Sequence, residues 1–338
     1  MPGLRPLYRL VRAAGWHARD CLTTLYWRAR CASPLGRGPK SQVSQHWGEA
    51  VIQGGDDTRG QLKGWLDCED VLWRYVFPRL GGDDWYRHIA ERYCPEPRDL
   101  ALSLCCGDGH VERDFVNYGL CRNARGIDLS PQAIEACRRL TTETNLENHL
   151  SYEVGDVERC TLPQETYDLV IGWMALHHLR RLGHVFRQIQ RTLKPGGLLI
   201  ANEYVGPPHF QLRPEQVELA DELLTTIPSE LRRLGSGGPL KERCRPAGLV
   251  EMLRTDPSEG ARSHQILPTL RKYLEVVEQI DYGGCVLMIL LSGIAQNFDA
   301  SKEDDRNLLD RLYAAEREAI ESGRLSSDFT FLVARPRR

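Results

Sequence analysis

The chain has 338 residues, of which 41% are hydrophobic, and a formal net charge of −2 at pH 7. This length and composition suit a globular protein of one large domain, or of one domain with additions. A charge so close to zero gives the whole molecule no attraction to nucleic acid and so disfavours a nucleic-acid partner.

The cysteines and the apolar segments indicate the cellular setting. None of the 11 cysteines forms a C-x-x-C pair, which disfavours a zinc site. No metal-ligand cluster is evident, so we expect chemistry without a metal. The odd cysteine number and the predicted core positions favour reduced thiols and a cytoplasmic location. No apolar run approaches the ~20 residues of a membrane span, and no secretory signal is recognisable at the N-terminus.

Residues 1–40 are predicted to form a basic extension. They carry eight arginines and lysines against one acid, Asp20, with leucines and aromatic residues between the arginines. Such a segment can be a solvated extension, the interpretation we place first, an amphipathic surface for an anionic membrane, or an organelle transit peptide. A Pro- and Gly-rich linker ends it at 33–39.

Residues 41–98 are predicted to be helical and are rich in aromatic side chains. Trp85, Ile89 and Tyr93 repeat on one face of a helix that leads into the first strand. These aromatic residues can form a lid over a substrate pocket or pack in the core, and packing is the simpler explanation for most of them.

The stretch from 100 to 130 predicts a cofactor site. Residues 100–104 read as a buried strand, 105–109 as a tight turn with two glycines, and a helix begins near His110. The glycines allow close approach of the backbone to a ligand, and the start of the helix offers free N–H groups. Asp128 ends the second strand 21 residues after Gly107, close to the spacing at which an acid reaches ribose hydroxyls.

The pattern then continues as alternating helices and strands. Ser130 and Pro131 are a helix start, with Ser130 as the N-cap and Pro131 at the first helical position. The predicted strands are 150–154, 167–172 and 198–204, and a helix with Val185, Ile189 and Leu193 inward ends at 194–197. This alternation predicts a doubly wound, parallel α/β sheet.

The C-terminal third first interrupts and then completes this pattern. We predict an amphipathic helix from Pro214, a sixth strand at 273–280, helices at 286–298 and 307–322, and a last strand at 329–334. We therefore expect one domain over 41–338. Its parts are a helical segment (41–98), a cofactor-binding core (99–204), a cap insertion (205–270) and the end of the sheet (271–338).

The turn at 100–109 resembles the L-x-G-C-G-x-G motif of class I S-adenosylmethionine (SAM)-dependent methyltransferases. Asp128, Asp156 and the Lys194-Pro195-Gly196-Gly197 stop follow in the family's order, so the resemblance covers about 99–204. Two positions depart from the family pattern. Ser103 stands where the family has an acid, and Cys105 stands where it has its first glycine.

The resemblance implies a Rossmann-like, seven-stranded sheet with an antiparallel last strand, and SAM as the cofactor. The cap insertion would cover the substrate. The residues expected to bind the cofactor are Ser103, Cys105, Gly107, Gly109, Asp128, Leu129, Asp156, Val157 and Trp173.

The expected reaction is methyl transfer to a small molecule or a glycan, with oxygen favoured as the acceptor atom. The stretch 202–210 is similar to a subgroup of bacterial methyltransferases often encoded beside glycosyltransferases. We predict His178 and Glu203 as the catalytic pair, because they are expected near the C-terminal ends of strands four and five, where acceptors bind in open α/β sheets. Two alternatives stay open: methylation of RNA, favoured by the basic segments, and a catalytically inactive scaffold, favoured by Ser103 and Cys105.

Overall fold

The computed structural model describes residues 39–53, 64–235 and 237–337. Nearly all of the basic extension predicted at 1–40, and with it the predicted membrane contact, lies outside the described residues. In the part of the chain that is described, no helix combines the length and the apolar character needed to cross a bilayer.

One mixed sheet organises the described residues. Its seven strands lie in the order β3-β2-β1-β4-β5-β7-β6, and β7 runs antiparallel to both of its neighbours while the pairs among β1 to β5 are parallel. The predicted seven-stranded sheet with an antiparallel last strand is therefore confirmed. The strands are β1 Arg98–Leu104, β2 Cys121–Asp128, β3 Leu150–Val154, β4 Tyr167–Trp173, β5 Leu193–Tyr204, β6 Leu274–Gly283 and β7 Phe329–Pro336.

Helices cover both faces of this sheet, as expected for a doubly wound fold. The α-helices are α1 Pro39–Gln53, α2 Trp85–Tyr93, α3 His110–Asn117, α4 Pro131–Glu143, α5 Leu182–Thr192, α6 Pro214–Thr226, α7 Leu249–Thr255, α8 Ile266–Tyr273, α9 Leu287–Leu291 and α10 Glu303–Glu321. Short helical turns lie at Trp65–Asp67, Glu69–Val71, Leu72–Val76, Phe77–Leu80, Leu176–His178, Pro208–Phe210, Ser263–Gln265 and Ala295–Asn297.

Alternation along the strands separates two hydrophobic layers. On β1, Ala101 packs into the layer under α3, α4, α9 and α10, whereas Leu102 and Leu104 pack into the layer under α5 and α8. This is the two-residue period of a strand buried on both faces. The carboxyl ends of the parallel strands therefore meet at one edge of the sheet, between the two helical layers.

The predicted start of α4 is confirmed in detail. The hydroxyl oxygen of Ser130 accepts a hydrogen bond from the N–H of Ala133 at 3.3 Å, and Pro131 is the first helical residue. An N-cap satisfies one of the backbone donors that a helix start leaves free, and proline lacks the N–H that would be left over. The helix therefore begins directly after the acid at the end of β2.

Other boundaries differ from the prediction. The predicted helix at 286–298 is wrong in extent: α9 ends at Leu291 because Gly293 adopts a left-handed conformation with φ of 75°. The segment 64–80 consists of short turns, not a continuous helix. Helix α1 begins at Pro39, so the expected boundary after residue 40 falls within its first turn.

Candidate active site

A cavity of about 870 Å³ lies at the carboxyl ends of the parallel strands. Its wall includes eight of the nine residues predicted to bind the cofactor: Ser103, Cys105, Gly107, Asp128, Leu129, Asp156, Val157 and Trp173. It also includes His178, one of the two predicted catalytic residues, whereas Gly109 and Glu203 do not contribute to the wall. The structure thus places the glycine turn and His178 in the wall of the same cavity.

The glycine turn keeps its backbone conformation although one expected glycine is a cysteine. Cys105 has φ of 53°, and Gly107 has φ of 56°. A residue with a Cβ in this left-handed region is strained by about 1–2 kcal/mol. The cysteine therefore occupies a glycine-type conformation at the cavity wall at some cost in stability.

Gly107 and Gly109 serve different purposes, although the sequence treats them alike. A Cβ added at Gly107 would meet no atom within 4 Å, so this backbone is open towards the cavity. A Cβ added at Gly109 would lie 2.6 Å from the hydroxyl oxygen of Tyr152. Gly107 is thus the residue that allows a ligand to approach, whereas Gly109 allows α3 to pack on β3.

Asp128 is held at the end of β2 by two backbone hydrogen bonds. Its Oδ2 accepts from the N–H of Gly107 at 3.1 Å, and its Oδ1 accepts from the N–H of Ser130 at 2.8 Å. Burial raises the pKa of Asp128, against the opposing effect of these hydrogen bonds. Because each carboxylate oxygen can accept a second hydrogen bond, Asp128 can bind hydroxyl groups in the cavity.

Helix α1 forms the wall opposite the sheet. Nζ of Lys40 lies 2.6 Å from Oδ2 of Asp156 and 2.8 Å from Oε2 of Glu158. The hydroxyl of Ser44 donates to the carbonyl oxygen of Leu129 at 3.3 Å. Helix α1 therefore lies where the lid was predicted, and the expected ligand-binding acid Asp156 is paired with a lysine of that helix.

The aromatic residues of 41–98 divide between the two interpretations. Trp47 of α1 lies in the cavity wall, as a lid residue would. Trp65, Tyr75 and Trp85 are buried in the core, and Trp85 stacks on Phe331 of β7 with ring centroids 5.8 Å apart. Packing explains these three, and the lid explains Trp47.

Sequence reasoning missed Glu112, which lies in the first turn of α3 and in the cavity wall. Its side chain is fully buried, and neither carboxylate oxygen has a hydrogen-bond partner. Burial raises the pKa of Glu112 to about 7. The sequence feature that could have indicated Glu112 is an acid just after the glycine turn. It stands in a chain whose Ser103 lacks the negative charge expected at that position.

The opposite end of the cavity is built around His178. Its Nδ1 lies 3.0 Å from Oγ of Ser258, and Ser258 donates its hydroxyl proton to Oδ1 of Asp256 at 2.6 Å. Trp47 donates from Nε1 to Oδ2 of Asp256 at 2.9 Å, and its ring meets the edge of His178 at 5.1 Å. Asp256 and Ser258 follow α7, some eighty residues after His178, so local sequence patterns could not connect them.

Glu203 does not have the geometry expected of an acceptor-side catalyst. Its Oε1 accepts from the N–H groups of Ala175 and Leu176 at 2.7 and 2.6 Å, and its Oε2 accepts from His177 Nδ1 at 2.8 Å. It is fully buried and outside the cavity wall. Glu203 therefore anchors the turn that carries both histidines.

The two histidines differ in their electrostatic surroundings. Burial alone would lower the pKa of His177, but hydrogen bonds and charges from Glu203 and Glu259 outweigh it and raise the pKa to about 10. Burial and the neighbouring His177 lower the pKa of His178. At neutral pH His177 thus carries a proton and His178 is neutral.

A group of possible metal ligands also lies here, although the sequence suggested none. One ligand atom each from His177, His178 and Glu259 lies within 4.8 Å of the others. Nε2 of His177 is 3.4 Å from Oε1 of Glu259. Protonated His177 lies between Glu203 and Glu259 and offsets one of their two negative charges, so this group also fits an ion-pair network.

Part of the chain is similar to known methyltransferases. Residues 101–197 match a family model described as a methyltransferase domain. Sterol 24-C-methyltransferase of Eremothecium gossypii is 27% identical over 137 residues, which are 40% of this chain and 36% of that protein. Norajmaline N-methyltransferase of Rauvolfia serpentina is 25% identical over 182 residues, which are 53% of this chain and 58% of that protein.

The chain thus spans 36% to 58% of the length of these two relatives. Among solved structures, the [4+2]-cyclase SpnF aligns with 87% of this chain and 93% of its own, with 17% identity and a TM-score of 0.48. The family match covers the strands and turns that build the cavity, from β1 to the start of β5. Residues 101–197, which contain the glycine turn, are thus similar to a methyltransferase domain.

Proposed function

We propose that this protein transfers a methyl group from SAM to an oxygen atom of a small molecule or a glycan. The observation that carries the proposal is the single cavity that joins the glycine turn to His178. Its volume of about 870 Å³ is within the usual range of cofactor and ligand sites. A cofactor at one end and an acceptor at the other would therefore share one enclosed space.

The residues at the glycine-turn end fit SAM. Asp128 would bind the ribose hydroxyls, Asp156 the adenine amino group, and the open backbone at Gly107 would allow close approach of the ligand. Glu112 adds a buried carboxylate without a partner, which favours a ligand with a positive charge. When bound, SAM supplies a methyl group already activated on a positively charged sulfur, so the protein chiefly has to align the acceptor.

His178 is the residue that would activate the acceptor. Because Ser258 gives its proton to Asp256, its oxygen must accept from His178, which places the imidazole proton on Nδ1. Nε2 of neutral His178 then carries a lone pair and can take the proton of an acceptor hydroxyl. Glu203 and His177 hold the turn that positions His178.

The acceptor-side wall suits a small organic molecule. Trp47, Met174 and Leu179 provide apolar and aromatic surface, and Ser258 provides a polar group. The resemblance of 202–210 to methyltransferases encoded beside glycosyltransferases supports a glycan. The two relatives described above are named for transfer to carbon and nitrogen, so the proposal of oxygen rests on His178. A cytoplasmic location is supported by the free thiols of the described cysteines.

The experiment has two stages. Calorimetry with SAM tests the cofactor, and we expect a single site. Mass spectrometry of hydroxylated small molecules and glycans, incubated with the protein and isotope-labelled SAM, then tests transfer and identifies the acceptor atom. Absence of SAM binding would contradict the proposal, and SAM binding without transfer to any acceptor would favour the scaffold interpretation.

A further inference from the structure

Glu112 is a buried acid that the fold itself leaves unsatisfied. Its side chain is fully buried, neither carboxylate oxygen pairs with a cation, and the hydroxyl of Ser103 is the hydrogen-bonding side-chain group beside it. A buried carboxylate without a partner is costly, because the interior cannot replace its hydration. The start of α3 offers the charge some compensation through the helix dipole, but only a fraction of what a direct partner gives.

The nearby cations are engaged elsewhere. Arg113 donates from its guanidinium to the carbonyl oxygen of Asp108 at 2.7 Å. His110 pairs through Nδ1 with Oδ1 of Asp108 at 2.8 Å. Both exert a long-range effect on Glu112, and neither forms a hydrogen bond to it. The partner of this carboxylate is therefore expected to come from the cavity.

The other acids of the described cavity wall have partners within the protein. Asp108 faces His110, while Asp156 and Glu158 face Lys40. The remaining two are also engaged: Asp128 accepts two backbone hydrogen bonds, and Glu143 pairs with Arg139. Glu112 thus differs from them in having the neutral hydroxyl of Ser103 beside it and neither an ion-pair partner nor two backbone donors.

The position of this charge is next to Ser103. Ser103 is the penultimate residue of β1, is 2% exposed, and lies with Glu112 in the cavity wall. A serine hydroxyl can take part in a hydrogen bond but cannot neutralise a cation. A ligand ammonium group at this point would find its hydrogen-bond partner on β1 and its counter-charge on α3.

We propose that Glu112 binds the α-ammonium group of the methionine part of SAM, with Ser103 as a neutral neighbour. The inference rests on SAM being the cofactor, as proposed above. An ammonium ion matches the site because it supplies both the missing positive charge and several N–H donors. In this chain the negative charge that recognises the ammonium group would thus lie on α3, after the glycine turn, and not on β1.

The test compares two ligands that differ in this part of the molecule. S-adenosylhomocysteine carries the amino acid portion, whereas 5′-methylthioadenosine lacks it. Calorimetry at pH 8 should show that Glu112→Gln weakens binding of S-adenosylhomocysteine by roughly ten- to a hundredfold, the effect of losing a charge-assisted hydrogen bond. Binding of methylthioadenosine should change less than about twofold.

The outcomes separate this inference from the proposed function. An equal loss of affinity for both ligands would overturn the proposal, because Glu112 would then only support the structure of the pocket. Unchanged affinity for S-adenosylhomocysteine would also overturn it, because the ammonium group would lie elsewhere. If the unaltered protein bound neither ligand, the cofactor assignment itself would fail.

Asp328 offers a matched control. It too is a buried acid, its Oδ1 lacks a partner, and burial raises its pKa to about 7. It does not contribute to the cavity wall. Asp328→Asn should leave the affinities for both ligands unchanged, and a loss restricted to S-adenosylhomocysteine in this variant would contradict a specific role for Glu112.

Discussion

Nδ1 of His178 lies 3.0 Å from the hydroxyl oxygen of Ser258, and this contact determines which nitrogen of the imidazole is free. Asp256 can only accept from Ser258, so the serine oxygen is left to accept from His178. The free lone pair is on Nε2. A residue eighty positions away in the chain thus sets the chemical form of the predicted catalytic histidine.

We expect His178→Ala to lower turnover by about 10²-fold or more, the usual contribution of a general base. SAM affinity should change little, because the cofactor contacts lie at the glycine turn. Single-turnover kinetics with the identified acceptor, together with calorimetry, measure the two quantities. His149→Ala, in an exposed histidine far from the cavity, serves as the control. Near-native turnover of the His178 variant would exclude it as the base.

We expect Glu203→Gln to lower the free energy of unfolding by about 2–4 kcal/mol. The glutamine amide would bring its own N–H groups against backbone donors that now point at a carboxylate. Denaturant unfolding measures the change. Glu275→Gln, which removes an exposed pair with Arg335, should leave stability almost unchanged, because solvent screens such a pair. A Glu203 variant of native stability with strongly reduced turnover would instead favour direct catalysis.

Substitutions at the two glycines of the turn should have different consequences. Gly107→Ala should weaken SAM binding at least about tenfold, because its Cβ enters open space at the cavity wall, with a stability loss of about 1–2 kcal/mol. Gly109→Ala should chiefly reduce stability, because its Cβ meets Tyr152 at 2.6 Å. Calorimetry and thermal unfolding of both variants test this. The same profile for both glycines would contradict the distinction.

Sequence periodicity was sufficient to locate the strands, whereas the resemblance to the methyltransferase family supplied the candidate cofactor residues. Strand β3 was predicted at its observed bounds, and Asp128 ends β2 as expected. These features depend on local patterns of burial and on turns, which a sequence displays directly.

The roles of Glu203 and Glu112 could not be predicted from the sequence, for one shared physical reason. Both depend on hydrogen-bond partners, present for Glu203 and absent for Glu112, and partners depend on packing between distant segments. The same holds for the contact of Lys40 with Asp156, 116 residues apart. A pattern of residue types identifies candidates, whereas only the fold shows which of their atoms are already engaged.

We expect Asp128→Ala to weaken SAM binding by roughly ten- to a hundredfold. The carboxylate contributes charge-assisted hydrogen bonds to the ribose hydroxyls, worth about 1.5–3 kcal/mol. The substitution also removes the acceptor for the N–H groups of Gly107 and Ser130, so Asp128→Asn is the better-matched second variant. Calorimetry gives the affinities, and circular dichroism verifies the fold. Unchanged affinity in a folded variant would contradict the assignment of Asp128 to the ribose.

The last prediction concerns the pH dependence of stability without cofactor. Burial raises the pKa of Glu112 from 4.5 in the unfolded chain to about 7 in the folded one. Between these values the folded state holds a proton that the unfolded state has released, so this group makes the free energy of unfolding fall as pH rises. Above pH 7 the full penalty is present, on the order of 3 kcal/mol.

Glu112→Gln removes this penalty without removing the side chain. Its midpoint of thermal unfolding should exceed that of the unaltered protein at pH 8, and the two should nearly coincide at pH 4.5 to 5. The variant keeps the neighbouring His110, Arg113 and Tyr152, but loses the contribution by which the Glu112 charge raises the pKa of His110. S-adenosylhomocysteine should stabilise the unaltered protein more than the variant at pH 8. A difference in midpoint that is the same at both pH values would show that the Glu112 carboxylate does not titrate in this range.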